Sequence, residues 1–379
     1  MYHGVTPAVT KNRQKYWKHW CTYVHRCGSQ DVFLEKTTGL EMLLPIFGFA
    51  QRVRTGFYGR HRRVTVQTVG DALAAISTTI ELATKRSPLY KADRNYILPV
   101  ERLLEGMRRS DPLPVPQLAI PVGVIEMAYK LGYATRVKKM KAVADLSIIA
   151  FYYLLRVGEY TKPRQATING QQIRATRTVQ FRLQDIGFFD TNNRLINVWT
   201  TPQHLLLNVL FLAKGAVLKI SNQKNGRMGQ TIFQECIPDV LDGPTQALAR
   251  RVVHIVSNKG SPESLLCDYY DKPDQPHPNQ IKSTDMIQMI RHSVKALGLQ
   301  HQGIDPDLVG AHSPRAGGAM ALKLSGKDDT TIMKYGRWSG FTFLMYIHNQ
   351  IAHLAAGVSR DMRNPVPFVN IGNITLPDS

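Results

Sequence analysis

The sequence predicts a mainly α-helical protein with a small antiparallel β-sheet (α+β), in which a helical N-terminal domain precedes a larger second domain. Three features of the 379 residues support this. Apolar residues recur at helical spacing in the first and last thirds. β-branched segments surround an Asn-Gly turn signal in the middle. Four prolines lie within residues 111–121, where they exclude a helix because proline lacks an amide donor and restricts its predecessor.

The proline-rich stretch sets the predicted domain boundaries. Residues 1–110 are expected to form the helical N-terminal domain, and residues 111–121 an extended linker. Residues 122–356 form the predicted second domain, and residues 357–379 a C-terminal tail.

The individual elements follow from periodicity and turn residues. In the first domain, helices are predicted over Lys11–His25, Thr65–Thr84 and Arg94–Arg108. The second domain is predicted to contain helices over Val122–Leu131, Lys141–Tyr160, Thr245–Ser257, Ser283–Leu297, Pro314–Leu324, Asp329–Tyr335 and Phe341–Ala356. Its predicted strands cover Thr178–Leu183, Leu195–Trp199, Val217–Ser221 and Thr231–Phe233.

The charge balance indicates a polyanionic partner. The chain has 48 Lys and Arg against 28 Asp and Glu, a formal net charge of +20. Such an excess favours nucleic acid, over a merely soluble basic protein or one that binds anionic lipid. The basic stretches supply candidate DNA-binding residues, namely Arg60, Arg62, Arg63, Lys138 and Lys139.

Cysteine usage and hydropathy bound the compartment. Four cysteines in a chain of this length do not form a disulfide framework and suggest a reducing environment. His19, Cys21, His25 and Cys27 cluster, but their spacing matches no common zinc finger, so no metal site is predicted. The apolar run Leu146–Leu155 is too short to cross a bilayer, and no apolar signal region follows Met1. We therefore expect a soluble intracellular protein with no membrane partner.

A candidate phosphate site lies at Ala311–Arg315. Pro314 suits the first turn of a helix and Gly326 suits its end, so His312 and Arg315 should lie at a helix N-terminus. Free amides there favour a bound phosphate, and arginine adds a planar pair of donors. The alternative is an ordinary solvated turn.

Other candidate residues are individually unspecific. Arg156 ends an apolar helical run with Glu159 one turn later, which is either a rigid arginine in a cleft or a surface ion pair. Tyr346 lies among apolar residues and by type is a core tyrosine. Lys224 adjoins the Asn-Gly turn signal, where a solvated lysine is common. Trp338 offers an indole donor beside a further cation, Arg337.

Taken in chain order, these residues resemble the catalytic motifs of the tyrosine recombinase (phage integrase-type) family. Leu155–Glu159 resembles the first arginine box and Gly310–Arg315 the second, followed by small residues. Tyr335–Trp338 and Met345–Ile347 resemble the third, and Lys224 the lysine of a β-hairpin. The Gly-Arg-Trp-Ser form is similar to eukaryotic crypton-like mobile-element recombinases. The resemblance covers residues 140–356, and the first domain matches only in architecture, as a DNA-clamping core-binding domain.

The resemblance implies cleavage and rejoining of DNA through a covalent 3′-phosphotyrosyl intermediate, with no cofactor, metal or ATP. The implied roles are Tyr346 as nucleophile, Arg156 and Arg315 as phosphate ligands, His312 as base assisted by Glu159, Lys224 as general acid and Trp338 as hydrogen-bond donor. Arg337 stands at the spacing where many members carry His or Trp, so it is the alternate for Trp338. Lys219 is the alternate for Lys224. The long interval between Arg156 and His312 predicts insertions around 186–214 and 268–281.

The implied partner is double-stranded DNA, bound by a homo-tetramer across two sites and by monomers or dimers before synapsis. The eukaryote-like motif predicts nuclear localisation, whereas a bacterial host would give a cytoplasmic or nucleoid protein. Two alternatives remain: a type IB topoisomerase-like DNA-relaxing enzyme, which shares the nucleophilic tyrosine, and a domesticated DNA-binding protein without catalysis. A basic RNA-binding protein is disfavoured because no aromatic strand motif is present.

Overall fold

The computed structural model describes residues 6–37, 39–59, 62–91, 93, 95–112, 118–168, 171–175, 178–220, 229–340 and 343–344. The chain divides into two compact units. Counting only described residues, the first unit takes those within 1–115 and 163–179, and the second takes those within 116–162, 180–221 and 228–379. Helices predominate and the largest sheet is small and antiparallel, which confirms the predicted fold class.

The first unit packs four helices around one apolar core. These are α1 (Pro7–Arg26), α2 (Leu43–Arg54), α3 (Val66–Thr84) and α4 (Leu98–Arg109). Trp20 lies at the centre, where its indole donates a hydrogen bond of 2.8 Å to the carbonyl of Val32 and meets the Phe49 ring edge-on at 5.4 Å. Helix α2 was not predicted, since Pro45 and Gly48 weaken its helical pattern.

A hairpin from later in the sequence belongs to this first unit. Strands β1 (Gln165–Ile168) and β2 (Gln171–Arg174) pair antiparallel, and the amide of Ala8 on α1 donates to the carbonyl of Ala175. No strand was predicted here. The sequence between the two strands is Asn-Gly, a hairpin signal that would have predicted them.

In the part of the second unit that the structure describes, the α-helices are α5 (Val122–Tyr133), α6 (Lys138–Tyr152), α7 (Val157–Tyr160), α8 (Gln203–Phe211), α9 (Pro244–Val256), α10 (Ser283–Ala296), α11 (Ser313–Leu324) and α12 (Asp329–Gly336). Buried α6 is central, in contact with α5, α9, α10 and α11. Within the described residues, no helix is long and apolar enough to cross a membrane.

The predicted continuous helix Lys141–Tyr160 is wrong. Helix α6 ends at Tyr152, and Leu154 adopts a left-handed backbone with φ of 49° before the short α7 begins. Such a conformation is unfavourable for a branched side chain and needs surrounding contacts to hold it. The break turns the Leu154 carbonyl out of the helical ladder, so that it accepts hydrogen bonds from side chains.

The sheet of the second unit has the strand order β4-β3-β5-β6, all antiparallel. Its strands are β3 (Ile186–Phe189), β4 (Leu195–Ile196), β5 (Gly215–Lys219) and β6 (Thr231–Glu235), and a separate pair joins β7 (Asp268–Tyr269) to β8 (Asn279–Gln280). In the β5–β6 pair Lys219 faces Thr231. The strand predicted over Thr178–Leu183 is wrong: this segment is irregular, with one bridge between Arg182 and Leu265.

A buried polar network joins α5, α6 and α9. The Arg250 guanidinium donates from Nε at 2.8 Å and from Nη2 at 2.7 Å to one oxygen of Asp145, and the Tyr133 hydroxyl donates to the other at 2.9 Å. The same guanidinium stacks on the rings of Tyr129 and Tyr133. Each buried polar partner is thereby satisfied, which fixes how these three helices pack.

His254 on α9 makes stability depend on pH. Burial and the charges of Arg251 and Lys138 lower its pKa to about 4. The Tyr270 amide donates a hydrogen bond of 3.0 Å to its Nε2. Because the unfolded imidazole has the higher pKa of 6.5, stability is present above that value and is lost as pH falls towards 4. We expect His254→Gln to lessen this acid loss by on the order of 2 kcal/mol, allowing for partial solvent access. Denaturant titrations at both ends of the window measure it, and equal acid losses in both proteins would refute the role.

Candidate active site

Helix α11 begins where the sequence predicts. Its first residue is Ser313, Pro314 lies in the first turn and the exposed His312 is the residue before the helix. The buried Ser313 hydroxyl accepts a hydrogen bond of 3.0 Å from the Gly310 amide and so fixes the entering loop. The start of α11 therefore carries His312 outward and Arg315 inward.

Two adjacent glycines let α11 pack closely against α6 and the segment before α5. A Cβ on Gly317 would lie 2.2 Å from the Ile120 carbonyl oxygen, and one on Gly318 would lie 2.3 Å from the Phe151 carbonyl oxygen. Real side chains do not approach backbone oxygens so closely. The small residues after Arg315 thus allow the close approach that places Arg315 beside the end of α6.

Arg315 is almost completely buried, with 2% of its surface exposed. Its Nη1 donates to the carbonyl of Leu154 at 2.6 Å, and its Nη2 donates to the carbonyl of Gly336. The guanidinium lies over the Trp338 ring, 4.2 Å from its centroid, within the range of a cation–π interaction. These contacts hold a planar cation at one orientation.

Arg337 is a second buried arginine, with 1% of its surface exposed. It follows α12 in a left-handed conformation, φ 60°, which turns its side chain inward. Its Nη1 and Nη2 donate to the two oxygens of Glu159 at 3.2 and 3.1 Å, and Nη2 also donates to the Leu154 carbonyl at 2.9 Å. Desolvation lowers the pKa of Arg337, although the Glu159 charge raises it.

Glu159 joins this arginine to Arg156. Its carboxylate accepts the Arg156 amide at 2.8 Å and lies 3.4 Å from Arg156 Nη1. Arg156 Nη2 also reaches the Arg337 carbonyl at 3.5 Å. The side chain of Arg156 remains 23% exposed, whereas that of Glu159 is 2% exposed. Arg156 and Arg337 thus share one carboxylate, and Arg315 shares the Leu154 carbonyl with Arg337. Three guanidinium groups beside one carboxylate leave an excess of positive charge in a poorly solvated place, which favours a bound anion.

Trp338 lies against the Arg315 guanidinium. Its ring packs 5.7 Å from that of Phe343, within a small core that also contains Leu154 and Ile332. A Cβ on Gly336 would overlap the indole at 1.5 Å, so glycine is required there. Trp338 therefore lies against Arg315, while Arg337 lies against Glu159.

The other predicted site residues are placed as follows. Lys219 is exposed at the end of β5. Tyr346, Lys224 and Arg60 lie outside the described residues. Arg62 is exposed, and Arg63 contacts the Ser110 hydroxyl. Lys138 is exposed at the start of α6, and Lys139 pairs with Asp285 at 2.7 Å, which raises the lysine pKa.

Sequence reasoning missed the Leu154 carbonyl, which accepts from both buried arginines. No side chain in the sequence predicts that this carbonyl accepts two arginines, because the acceptor is a backbone atom. Its availability depends on the break after α6. The pairing of Arg337 with Glu159 was missed too. An acidic residue in one box and an extra arginine in another were the available signals.

No protein-family model and no curated protein matches the sequence. Among solved structures, the Tn1549 transposon integrase in complex with circular intermediate DNA is similar at 13% identity and a TM-score of 0.43, over 92% of this chain and 99% of that chain. A variant of this integrase in complex with transposon right end DNA is similar at 13% identity and a TM-score of 0.44, over 93% and 99%. A crystal structure of XerA recombinase is similar at 11% identity and a TM-score of 0.37, over 93% and 98%. At such low values the site's own geometry remains the basis for any functional inference. These structural neighbours are tyrosine recombinases, the family whose motifs the sequence resembles.

Proposed function

We propose that this protein is a site-specific DNA recombinase that cleaves and rejoins strands through a covalent 3′-phosphotyrosyl intermediate on Tyr346. The observation that carries the proposal is the convergence of Arg156 and Arg315, from distant parts of the chain, on the turn at residues 336–337, where they donate to the carbonyls of Arg337 and Gly336. Fixed guanidinium groups around a poorly solvated space suit a phosphodiester whose negative charge grows in the transition state.

The proposed reaction conserves bonds. The Tyr346 oxygen attacks the scissile phosphorus, a tyrosyl–phosphate bond forms, and the bond to the 5′-oxygen breaks. The phenol proton passes to His312, and Lys224 gives a proton to the leaving 5′-oxygen, with Lys219 the alternate. A 5′-hydroxyl from a second strand reverses these steps and releases Tyr346. The phosphodiester energy is kept in the intermediate, so the scheme uses neither ATP nor metal.

Each positioned group has its part in this scheme. Arg156 and Arg315 would hold the non-bridging oxygens, and the indole N–H of Trp338 would donate a further hydrogen bond. Between its two arginines, the buried Glu159 is better suited to orienting them than to taking a proton. His312, exposed at the start of α11, would meet substrate at a helix N-terminus where amides favour phosphate.

Double-stranded DNA is the proposed partner, bound by four protomers across two sites. The +20 charge supports DNA, and basic residues of the first unit such as Arg62 and Arg63 would hold backbone phosphates. Cross-linking of the complex assembled on two-site DNA tests the stoichiometry. Tetramers are expected, and monomers alone would contradict it.

The same residues serve a type IB topoisomerase-like enzyme, so the assay must separate the two. A site is first selected from a pool of randomised duplexes, and plasmids carrying one or two copies are incubated with the protein in EDTA without nucleotide. We expect recombinant products only from the two-site plasmid. Relaxation of either plasmid without recombinants would favour the topoisomerase, and binding without any strand breakage would favour the inactive DNA-binding protein.

A further inference from the structure

We infer that Arg337 is a positioning residue: it neutralises Glu159 and anchors the Leu154 carbonyl, so that Arg156 and Arg315 can face the scissile phosphate. The inference deepens the proposed function and rests on it. The spacing of Arg337 from Tyr346 alone would suggest direct contact with the phosphate. Positioning is a different role.

First, the charge of Arg337 is already neutralised by the carboxylate of Glu159. Its two terminal nitrogens hold both oxygens of Glu159 in a forked pair, and 1% of the residue is exposed. A phosphate could bind these nitrogens only by displacing a buried carboxylate. Among the described residues its Nε has no hydrogen-bond partner, but that atom is itself buried. A direct-contact role would have to use this N–H or the second N–H of Nη1, in a residue that is 1% exposed.

The second step concerns Arg156. Its Nη1 lies 3.4 Å from Glu159, a longer contact than either from Arg337, and its side chain is 23% exposed. Removal of Arg337 would leave the buried carboxylate with Arg156 as its guanidinium partner in the described part of the chain. The carboxylate would then draw Arg156 inward, because an unbalanced buried charge is costly. Arg337 thus keeps Arg156 available to substrate.

The third step concerns the backbone that both phosphate-holding arginines share with Arg337. The Leu154 carbonyl accepts from Arg315 at 2.6 Å and from Arg337 at 2.9 Å. The carbonyl of Arg337 itself accepts from Arg156 at 3.5 Å, and the preceding carbonyl accepts from Arg315. The turn at residues 336–337 and the break at 154 therefore set the orientation of both cations.

The positioning role is tested by asking whether Glu159→Gln suppresses the effect of an Arg337 substitution on cleavage. Single-turnover cleavage of a nicked suicide duplex is measured for wild type, Arg337→Met, Glu159→Gln and the double variant, at saturating DNA and below each melting temperature. Misplacement of Arg156 should slow Arg337→Met on the order of 100-fold. The double variant, which carries neither buried charge, should recover at least ~10-fold of that loss and most of the melting temperature.

Two controls accompany it. Glu159→Gln should not rescue Arg315→Met, because Arg315 is proposed to touch the phosphate itself. Arg337→Lys keeps the charge but not the forked geometry, so it should fold, cleave at an intermediate rate and gain nothing from Glu159→Gln. This variant carries the test if Arg337→Met does not fold, since rescue of Arg337→Lys by Glu159→Gln would refute charge compensation.

The outcomes separate the two hypotheses. If wild type cleaves and the double variant is no faster than Arg337→Met, neutralisation of Glu159 does not account for the loss, and the positioning role is refuted. Wild-type rates for Arg337→Met refute it too. If wild type forms no covalent adduct, the proposed function fails and the positioning role fails with it.

Discussion

Arg315→Met is expected to reduce the single-turnover cleavage rate on the order of 10³-fold while leaving DNA affinity within a few-fold. Arg315 supplies a fixed charge in a poorly solvated place, and loss of one such transition-state donor typically costs about this factor. DNA affinity depends mainly on many backbone contacts elsewhere, so it should hardly change. Rapid-quench cleavage of a nicked suicide duplex and a parallel binding titration measure the two effects.

Arg315→Lys and Lys323→Met are the matched variants. Lysine keeps the charge but cannot bridge the carbonyls of Leu154 and Gly336 while it stacks on Trp338, so most of the loss should remain. Lys323 lies on the same helix and pairs with Asp329 near the surface, so its removal should leave cleavage within a few-fold. Equal losses in cleavage and affinity for Arg315→Met would instead indicate a DNA-anchoring role.

Gly318→Val should destabilise the second unit by about 3 kcal/mol or more and abolish cleavage at physiological temperature. Even the first carbon of the side chain would meet the Phe151 carbonyl oxygen at 2.3 Å and Leu154 Cδ2 at 2.4 Å. Overpacking of this kind costs about 1–3 kcal/mol where neighbours can shift, and a backbone oxygen shifts little. Displacement of α11 would carry Arg315 away from the Leu154 carbonyl. Denaturant unfolding and the cleavage assay measure the two consequences.

Gly123→Ala is the control in the same unit. A Cβ there meets nothing within 4 Å, and Gly123 lies in the first turn of α5. Since alanine restricts the unfolded chain, we expect a gain of roughly 0.5 kcal/mol and unchanged cleavage. A Gly318→Val protein as stable as wild type would show that α11 does not depend on this close approach.

Helices with clear start and stop residues were predicted within a few residues. Helix α11 begins beside its proline and ends before Gly326, and α9 likewise begins at Pro244. Local chemistry decides such boundaries, so they are visible in the sequence. The β5–β6 pair was predicted from its β-branched residues and from the Asn-Gly turn signal between the two strands, which are local features of the same kind.

Tertiary contacts decided what the sequence did not reveal. The apolar run through Leu155 contains no Gly or Pro that would predict the end of α6 at Tyr152. The left-handed backbone of Leu154 is also locally unfavourable, so the sequence gives no sign of it. The break persists where Arg315 and Arg337 both bind the Leu154 carbonyl, and these residues are far away in sequence. The candidate arginines could therefore be named from the chain, but their division of labour could not.

Mass spectrometry of trapped adducts shows whether Tyr346 is the nucleophile. The protein is incubated with the nicked suicide duplex and digested with nuclease and protease, and the peptide that carries a nucleotide is sequenced. We expect a 3′-phosphonucleotide on the Tyr346 oxygen, absent from Tyr346→Phe although that variant still binds DNA. An adduct on another residue, or none from a wild-type protein that binds the duplex, would contradict it.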